Sequence, residues 1–203
     1  MQALLDSLLS LEGVAVVLAL AYLLLAARES LWCWLCALIS SAIYMWLMWE
    51  AKLYMETVLN FFYVVMAVLG WWQWKPTAVG KPQRAIVSMR WSQHAICIGV
   101  TLALTLVNGW LIQRFTDAAW PFVDSFISWG CVVTTVLVVR KVLENWLYWI
   151  VLDGLAVVVY LDRELYLTAL LFAGYVVIVV FGYFKWRREY LAAASPRMSG
   201  IQP

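Results

Sequence analysis

Long apolar stretches broken by short charged clusters set the pattern of this chain. Seven such stretches cover residues 13–27, 31–49, 54–74, 94–112, 125–139, 145–161 and 165–184. Most are close to the roughly 20 residues that a helix needs to cross a hydrocarbon core, so the pattern predicts seven transmembrane helices. The first apolar run is short and is expected to extend backwards past Glu12. Charged residues punctuate the runs: Arg28-Glu29, Glu50, Arg140-Lys141 and Asp162-Arg163-Glu164. Between the third and fourth runs lies a polar loop with Pro76, Gly80 and Pro82, which separates two halves. The 5 prolines all fall outside the apolar runs, so no spanning helix is predicted to carry a proline kink.

Composition closes off the alternatives. Hydrophobic residues make up 66% of the 203 and charged residues only 13%, with a mean hydropathy of +0.85. A soluble domain of this size has too little interior to hide that much apolar surface. A net charge of +2 is too mild for a nucleic-acid partner. The remaining partner is the lipid bilayer. Cys33 and Cys36 have CxxC spacing, but no second pair or adjacent histidine completes a metal site, so helix packing is expected of them. The single histidine, His94, opens an apolar run and is expected at the interface. No metal, cofactor or catalytic group is predicted. Of the 14 Lys and Arg residues, eleven fall on one set of alternate connections and three on the other. The positive-inside rule then places the N-terminus outside and the C-terminus in the cytoplasm.

The two halves repeat. A shift of 112 residues aligns Arg28 with Arg140, Trp34 with Trp146, and Leu53-Tyr54 with Leu165-Tyr166. The same register matches Tyr63 with Tyr175, Gly70 with Gly182, and Trp74 with Trp186. Runs one to three therefore repeat as runs five to seven. Three helices is an odd number, and the fourth restores the direction, which predicts two parallel repeats in a 3+1+3 order. The expected divisions of this single membrane domain are a first repeat at 12–74, a cytoplasmic loop at 75–93 and a linking helix at 94–114. A second repeat at 122–186 and a cytoplasmic tail at 187–203 follow.

Candidate chemistry gathers in the sixth run. On a helix, Asn145, Trp146, Trp149 and Asp153 share an arc of about 100°. An ionisable residue at the centre of a membrane helix costs about 2.5–3.5 kcal/mol on insertion scales and is by default a functional candidate. Three of these residues have a plainer reading. Asn145 could cap its helix, Trp146 could join an interfacial belt, and Asp153 could pair within the bundle. Trp71, Trp72, Trp74 and Trp186 are expected in such belts, and Gly70 and Gly182 at close helix packing. In the first half the equivalent face is Cys33, Trp34, Ala37 and Ser41, mostly small residues that would supply room.

The residues 53–54, 62–63 and Gly70-Trp71-Trp72-Gln73-Trp74, with Glu144-Asn145-Trp146 and Trp149, resemble the PnuC-type vitamin transporters. The resemblance implies an all-α, full-length SWEET-like membrane protein that carries nicotinamide riboside by facilitated diffusion. A downstream cytoplasmic kinase would trap the substrate, and a homotrimer is the implied assembly. Thiamine or another B vitamin is the alternative cargo. A sugar, as in SWEET transporters, is disfavoured by the lack of prolines within the runs. The implied location is a bacterial plasma membrane. The substrate face then comprises Asn145, Trp146, Trp149 and Asp153, joined by Asn60, Tyr63, Trp34, Ser41, Gln73 and Tyr175. Asn60 stands where relatives often have Gln, and Asp153 where nicotinamide riboside carriers often have Asn. A carboxylate at 153 favours a cation, while Trp146 and Trp149 offer cation–π faces. The two three-helix bundles would rock about a central site in alternating access. One histidine and no clustered carboxylates leave no reaction centre for an enzyme.

Overall fold

The computed structural model describes residues 11–52, 54–76, 84–117 and 119–198. Among them the fold is all-helical. The helices are α1 (Leu11–Ala27), α2 (Cys33–Glu50), α3 (Tyr54–Trp74), α4 (Trp91–Phe115), α5 (Pro121–Val139), α6 (Asn145–Asp162) and α7 (Tyr166–Met198). Helices α2 to α7 make six candidate membrane spans by length and apolarity. The described part of α1 is shorter, at 17 residues. Its expected extension towards the N-terminus lies outside the described residues.

Two compact units divide the chain, Met1–Ala85 and Ile86–Pro203. In the first, α2 packs against both α1 and α3; in the second, α6 packs against α5 and α7, and α4 packs against α5. Within the second unit, hydrogen bonds mark the two ends. At one end Arg163 donates to both carboxylate oxygens of Asp124, at 3.2 and 2.9 Å, and the Trp120 indole donates to Asp162 at 2.9 Å. At the other, residues 86–89 lie along the α5–α6 turn. Val87 N–H donates to the Lys141 carbonyl at 3.0 Å, and Leu143 N–H donates to the Val87 carbonyl at 2.8 Å. Glu144 accepts from the Ser88 hydroxyl and from Met89 N–H. The connections in this unit thus alternate between its two ends, as the up-and-down reading of the sequence requires.

The helix ends explain why apolar runs stop where they do. Glu29, Lys52, Lys141 and Glu164 have φ of 54°, 60°, 54° and 59°, the left-handed conformation of a helix C′ position. After α1, Glu29 N–H reaches the Ala26 carbonyl and Ser30 N–H reaches Leu25, at 3.0 and 2.9 Å. The same pair of bonds recurs at Lys141 and Val142, and again at Glu164 and Leu165. These closures satisfy carbonyls that a helix end in a bilayer would otherwise leave bare. Residues 29 and 52 reappear 112 positions later at 141 and 164. The internal repeat is therefore a repeat of backbone geometry as well as of sequence.

Several boundaries differ from the apolar pattern. Helix α5 starts at Pro121 rather than 125, because proline fits the first turn, where its missing N–H is not needed. Helix α4 begins at Trp91, where the Gln93 side chain accepts the Arg90 N–H at 2.9 Å. Helix α7 continues through the basic segment expected as a tail, so Pro196 lies inside a helix, in its last turn. Four of the short hydroxyl side chains inside the spans are satisfied locally. Thr101, Ser125, Ser128 and Thr135 each donate to the carbonyl four residues earlier.

Candidate substrate-binding site

Each unit is built on a tryptophan laid across a glycine. In the second, Trp146 in the first turn of α6 lies against α7, where a Cβ on Gly182 would come within 2.7 Å of its ring. Trp186, one turn further along α7, meets it edge-on at 5.3 Å and 85°. In the first unit Trp34 lies over Gly70 in the same way and meets Trp74 at 5.2 Å and 88°. Glycine is required at these two positions because any side chain would occupy the space of the indole. Trp74 and Trp186 are each 0% exposed. The expectation that they belong to an interfacial belt is thus corrected: the partner tryptophan and the glycine groove bury them. Trp72, 75% exposed, keeps the character of a belt residue.

Helix α6 brings the candidate face together. Asn145, Trp146, Leu152, Asp153, Ala156 and Val159 are its buried residues, and Trp149, partly exposed, falls on the same side. Asn145 is 0% exposed; its amide nitrogen donates to the Val142 carbonyl at 2.6 Å, while its carbonyl oxygen has no partner among the described residues. Half of this amide therefore closes the turn, and half is uncommitted. Asp153 is 6% exposed and has neither a hydrogen bond nor an ion pair among the described residues. It is separated from Trp149 by one helical turn, which puts a carboxylate and an indole side by side. The ring nitrogens of Trp146 and Trp34 are also buried with no partner among the described residues.

The other candidates are distributed. Tyr175 of α7 packs on Phe172 at 5.3 Å, and Phe172 in turn on Tyr160 of α6 at 5.1 Å. Asn60, Tyr63, Gln73, Trp34 and Ser41 belong to the first unit. There, Asn60 donates to the Glu56 carbonyl of its own helix at 2.9 Å, and Gln73 accepts from the Arg84 guanidinium. Tyr63 contacts Phe62 at 5.7 Å. Ser41 is partly exposed, and its buried neighbour Ser40 donates to the Ala15 carbonyl at 2.8 Å.

Two polar groups carried no site role in the sequence reading. His94, expected at an interface, stacks on Tyr148 with ring centres 5.9 Å apart and 8° between planes, its Nδ1 2.8 Å from the phenol oxygen. Thr134 of α5 is 0% exposed, and its hydroxyl has no partner among the described residues. The 112-residue shift could have exposed it, since it replaces Tyr22 of the first repeat.

The family model described as nicotinamide mononucleotide transporter matches residues 9–188. The chain belongs to this family. A member of the nicotinamide mononucleotide transporter family is a multi-pass membrane transporter and not an enzyme, in keeping with the six apolar spans. The chain is 24% identical to the nicotinamide riboside transporter PnuC of Escherichia coli (strain K12), with 79% of this chain and 77% of that one covered. It is 23% identical to the riboflavin/roseoflavin transporter RibM of Streptomyces davaonensis, with 93% and 90% covered. Among solved structures, the crystal structure of the vitamin B3 transporter PnuC shares the fold, with a TM-score of 0.72, 23% identity, and 92% of this chain and 83% of that one covered.

Proposed function

We propose that this protein imports nicotinamide riboside by facilitated diffusion with alternating access, using the α6 face of Asn145, Trp146, Trp149 and Asp153. The observation that carries this reading is the buried carboxylate of Asp153, without a partner among the described residues and one turn from Trp149. Nicotinamide riboside is a flat pyridinium cation with a carboxamide and a ribose. A carboxylate offsets its charge, an indole face holds the ring, and the uncommitted amide oxygen of Asn145 accepts from its polar edge. The PnuC relative, named for the same cargo, supports the choice.

The PnuC-type order supplies the rest of the reading: a first repeat at 12–74, a linking helix at 94–114 and a second repeat at 122–186, the 3+1+3 plan. Seven spans with the N-terminus outside follow from the placement of the basic residues, and the bacterial plasma membrane is the corresponding location. Within the first unit, Asn60, Tyr63, Gln73, Trp34 and Ser41 complete the substrate-contacting set, as Tyr175 does in the second. A homotrimer and a trapping cytoplasmic kinase belong to the same reading.

A second cargo has its own support: the RibM relative aligns over 93% of this chain, and riboflavin is a neutral, flat ring system. Uptake into proteoliposomes containing this protein alone separates the two. Labelled nicotinamide riboside should accumulate to equilibrium without ATP or an ion gradient. Unlabelled nicotinamide riboside should compete, and riboflavin and a plain sugar should not; thiamine, also a cation, measures how far the ring itself is read. Competition by riboflavin alone would overturn the assignment.

A further inference from the structure

The two units share a scaffold and differ where polar groups collect. Trp34, Gly70 and Trp74 of the first recur as Trp146, Gly182 and Trp186, with the same ring-on-glycine and edge-on contacts. Four positions around that scaffold change: Tyr22 to Thr134, Cys33 to Asn145, Ala37 to Trp149, and Ser41 to Asp153.

The first of these changes alters space as well as polarity. In the first unit the Tyr22 ring lies against Trp34, with centres 5.9 Å apart and 54° between planes. The second unit places a threonine at the equivalent position, so the volume of a phenol ring is not filled by that side chain. Thr134 stands one turn beyond Gly130 on the α5 face that meets α6, where the Leu152 side chain lies over Gly130. Asn145 lies two turns before Leu152 on the facing stripe of α6. The helices run antiparallel from the turn at 140–144, so Thr134 is level with the first turns of α6.

Three polar atoms in this region are buried without partners among the described residues: Thr134 Oγ1, Asn145 Oδ1 and Trp146 Nε1. Their residues are 0%, 0% and 1% exposed. Buried polar atoms of this kind are rare and call for a bound partner. The set is mixed. The amide oxygen accepts, the indole donates, and the hydroxyl does either, which matches a group that both gives and takes a hydrogen bond.

We propose that Thr134, Asn145 and Trp146 form a polar subsite inside the second unit that holds a primary carboxamide or hydroxyl group of the cargo. The subsite rests on the transport reading above and goes beyond it, because it names which part of the cargo is read and makes Thr134 a specificity residue. The first repeat fills the equivalent position with the Tyr22 ring against Trp34.

The test is calorimetric titration of the full-length protein in detergent with nicotinamide riboside, with thermal melts alongside. Thr134→Tyr copies the first repeat's own packing and should fold, yet abolish saturable binding. Thr134→Val keeps the shape without the hydroxyl and should weaken binding about 3- to 10-fold, the worth of one neutral hydrogen bond. Thr134→Ser should restore it at an unchanged melting temperature. Wild-type affinity in both the Tyr and Val variants overturns the subsite. If the Tyr variant does not fold, wild-type affinity in the Val variant is sufficient to do so. Wild-type protein that does not bind nicotinamide riboside removes the transport reading and the subsite together, whereas binding that ignores residue 134 removes the subsite alone.

Discussion

Replacing Asp153 by Asn tests the cation reading most directly. The change is close to isosteric and removes one negative charge from a site that is 6% exposed and has no counter-ion among the described residues. Side chains four residues apart on a helix have Cβ atoms about 5–6 Å apart, so a pyridinium seated on Trp149 lies about 6 Å from the carboxylate. At that distance, with an effective dielectric constant near 20, the attraction is about 2.8 kcal/mol, or roughly 100-fold in affinity. A buried pair is screened little by salt, so the loss should be similar at low and high ionic strength. Stability should move the other way or stay put, because an unpaired buried charge is itself costly. The assay is binding of nicotinamide riboside by the wild-type and Asp153→Asn proteins at two salt concentrations, with a melt of each. A loss under about threefold in well-folded protein would refute the electrostatic argument, since it would make the pair worth no more than an exposed surface ion pair.

Three further outcomes follow from the packing. Trp149→Ala should lower affinity about 10-fold or more with little change in melting, since a dry cation–π contact is worth up to about 2 kcal/mol and Trp149 is only partly buried; equal binding would remove it from the site. Gly182→Ala should destabilise by about 1–3 kcal/mol, because the new Cβ would meet three Trp146 ring atoms at 2.7 to 2.9 Å; a chemical-denaturation midpoint equal to wild type would show that the ring can retreat. Glu164→Gly should stabilise by about 1 kcal/mol, because glycine adopts the φ of 59° without a Cβ penalty; a lower melting temperature would mean that the Glu164 side chain supports the turn.

Much of the architecture was legible because a bilayer imposes a one-dimensional code. Span length and charge placement are local properties, and they located the apolar part of every described helix to within a few residues. The repeat was equally legible, since Arg28, Trp34, Gly70 and Trp74 return in a single register. The stops were read from charge rather than from their cause. Glu29, Lys52, Lys141 and Glu164 occupy left-handed positions that usually carry glycine, so the usual turn signal is missing. The candidate face on α6 was legible for a related reason: helical spacing alone groups Asn145, Trp146, Trp149 and Asp153.

The roles of the tryptophans were not legible. An indole near the end of an apolar run looks like a belt residue whether it faces lipid or a glycine on the next helix. Only packing separates exposed Trp72 from buried Trp74, two positions apart. Thr134 was silent for the same reason, because a threonine in a span gains meaning only from the tyrosine that fills its place in the other repeat. By itself the sequence determined a repeated set of membrane helices with one costly carboxylate at depth, since hydrophobic length and helical period are written along the chain. The tertiary structure alone decided which of those side chains are scaffold and which polar atoms lack partners, because both depend on contacts between helices far apart in sequence.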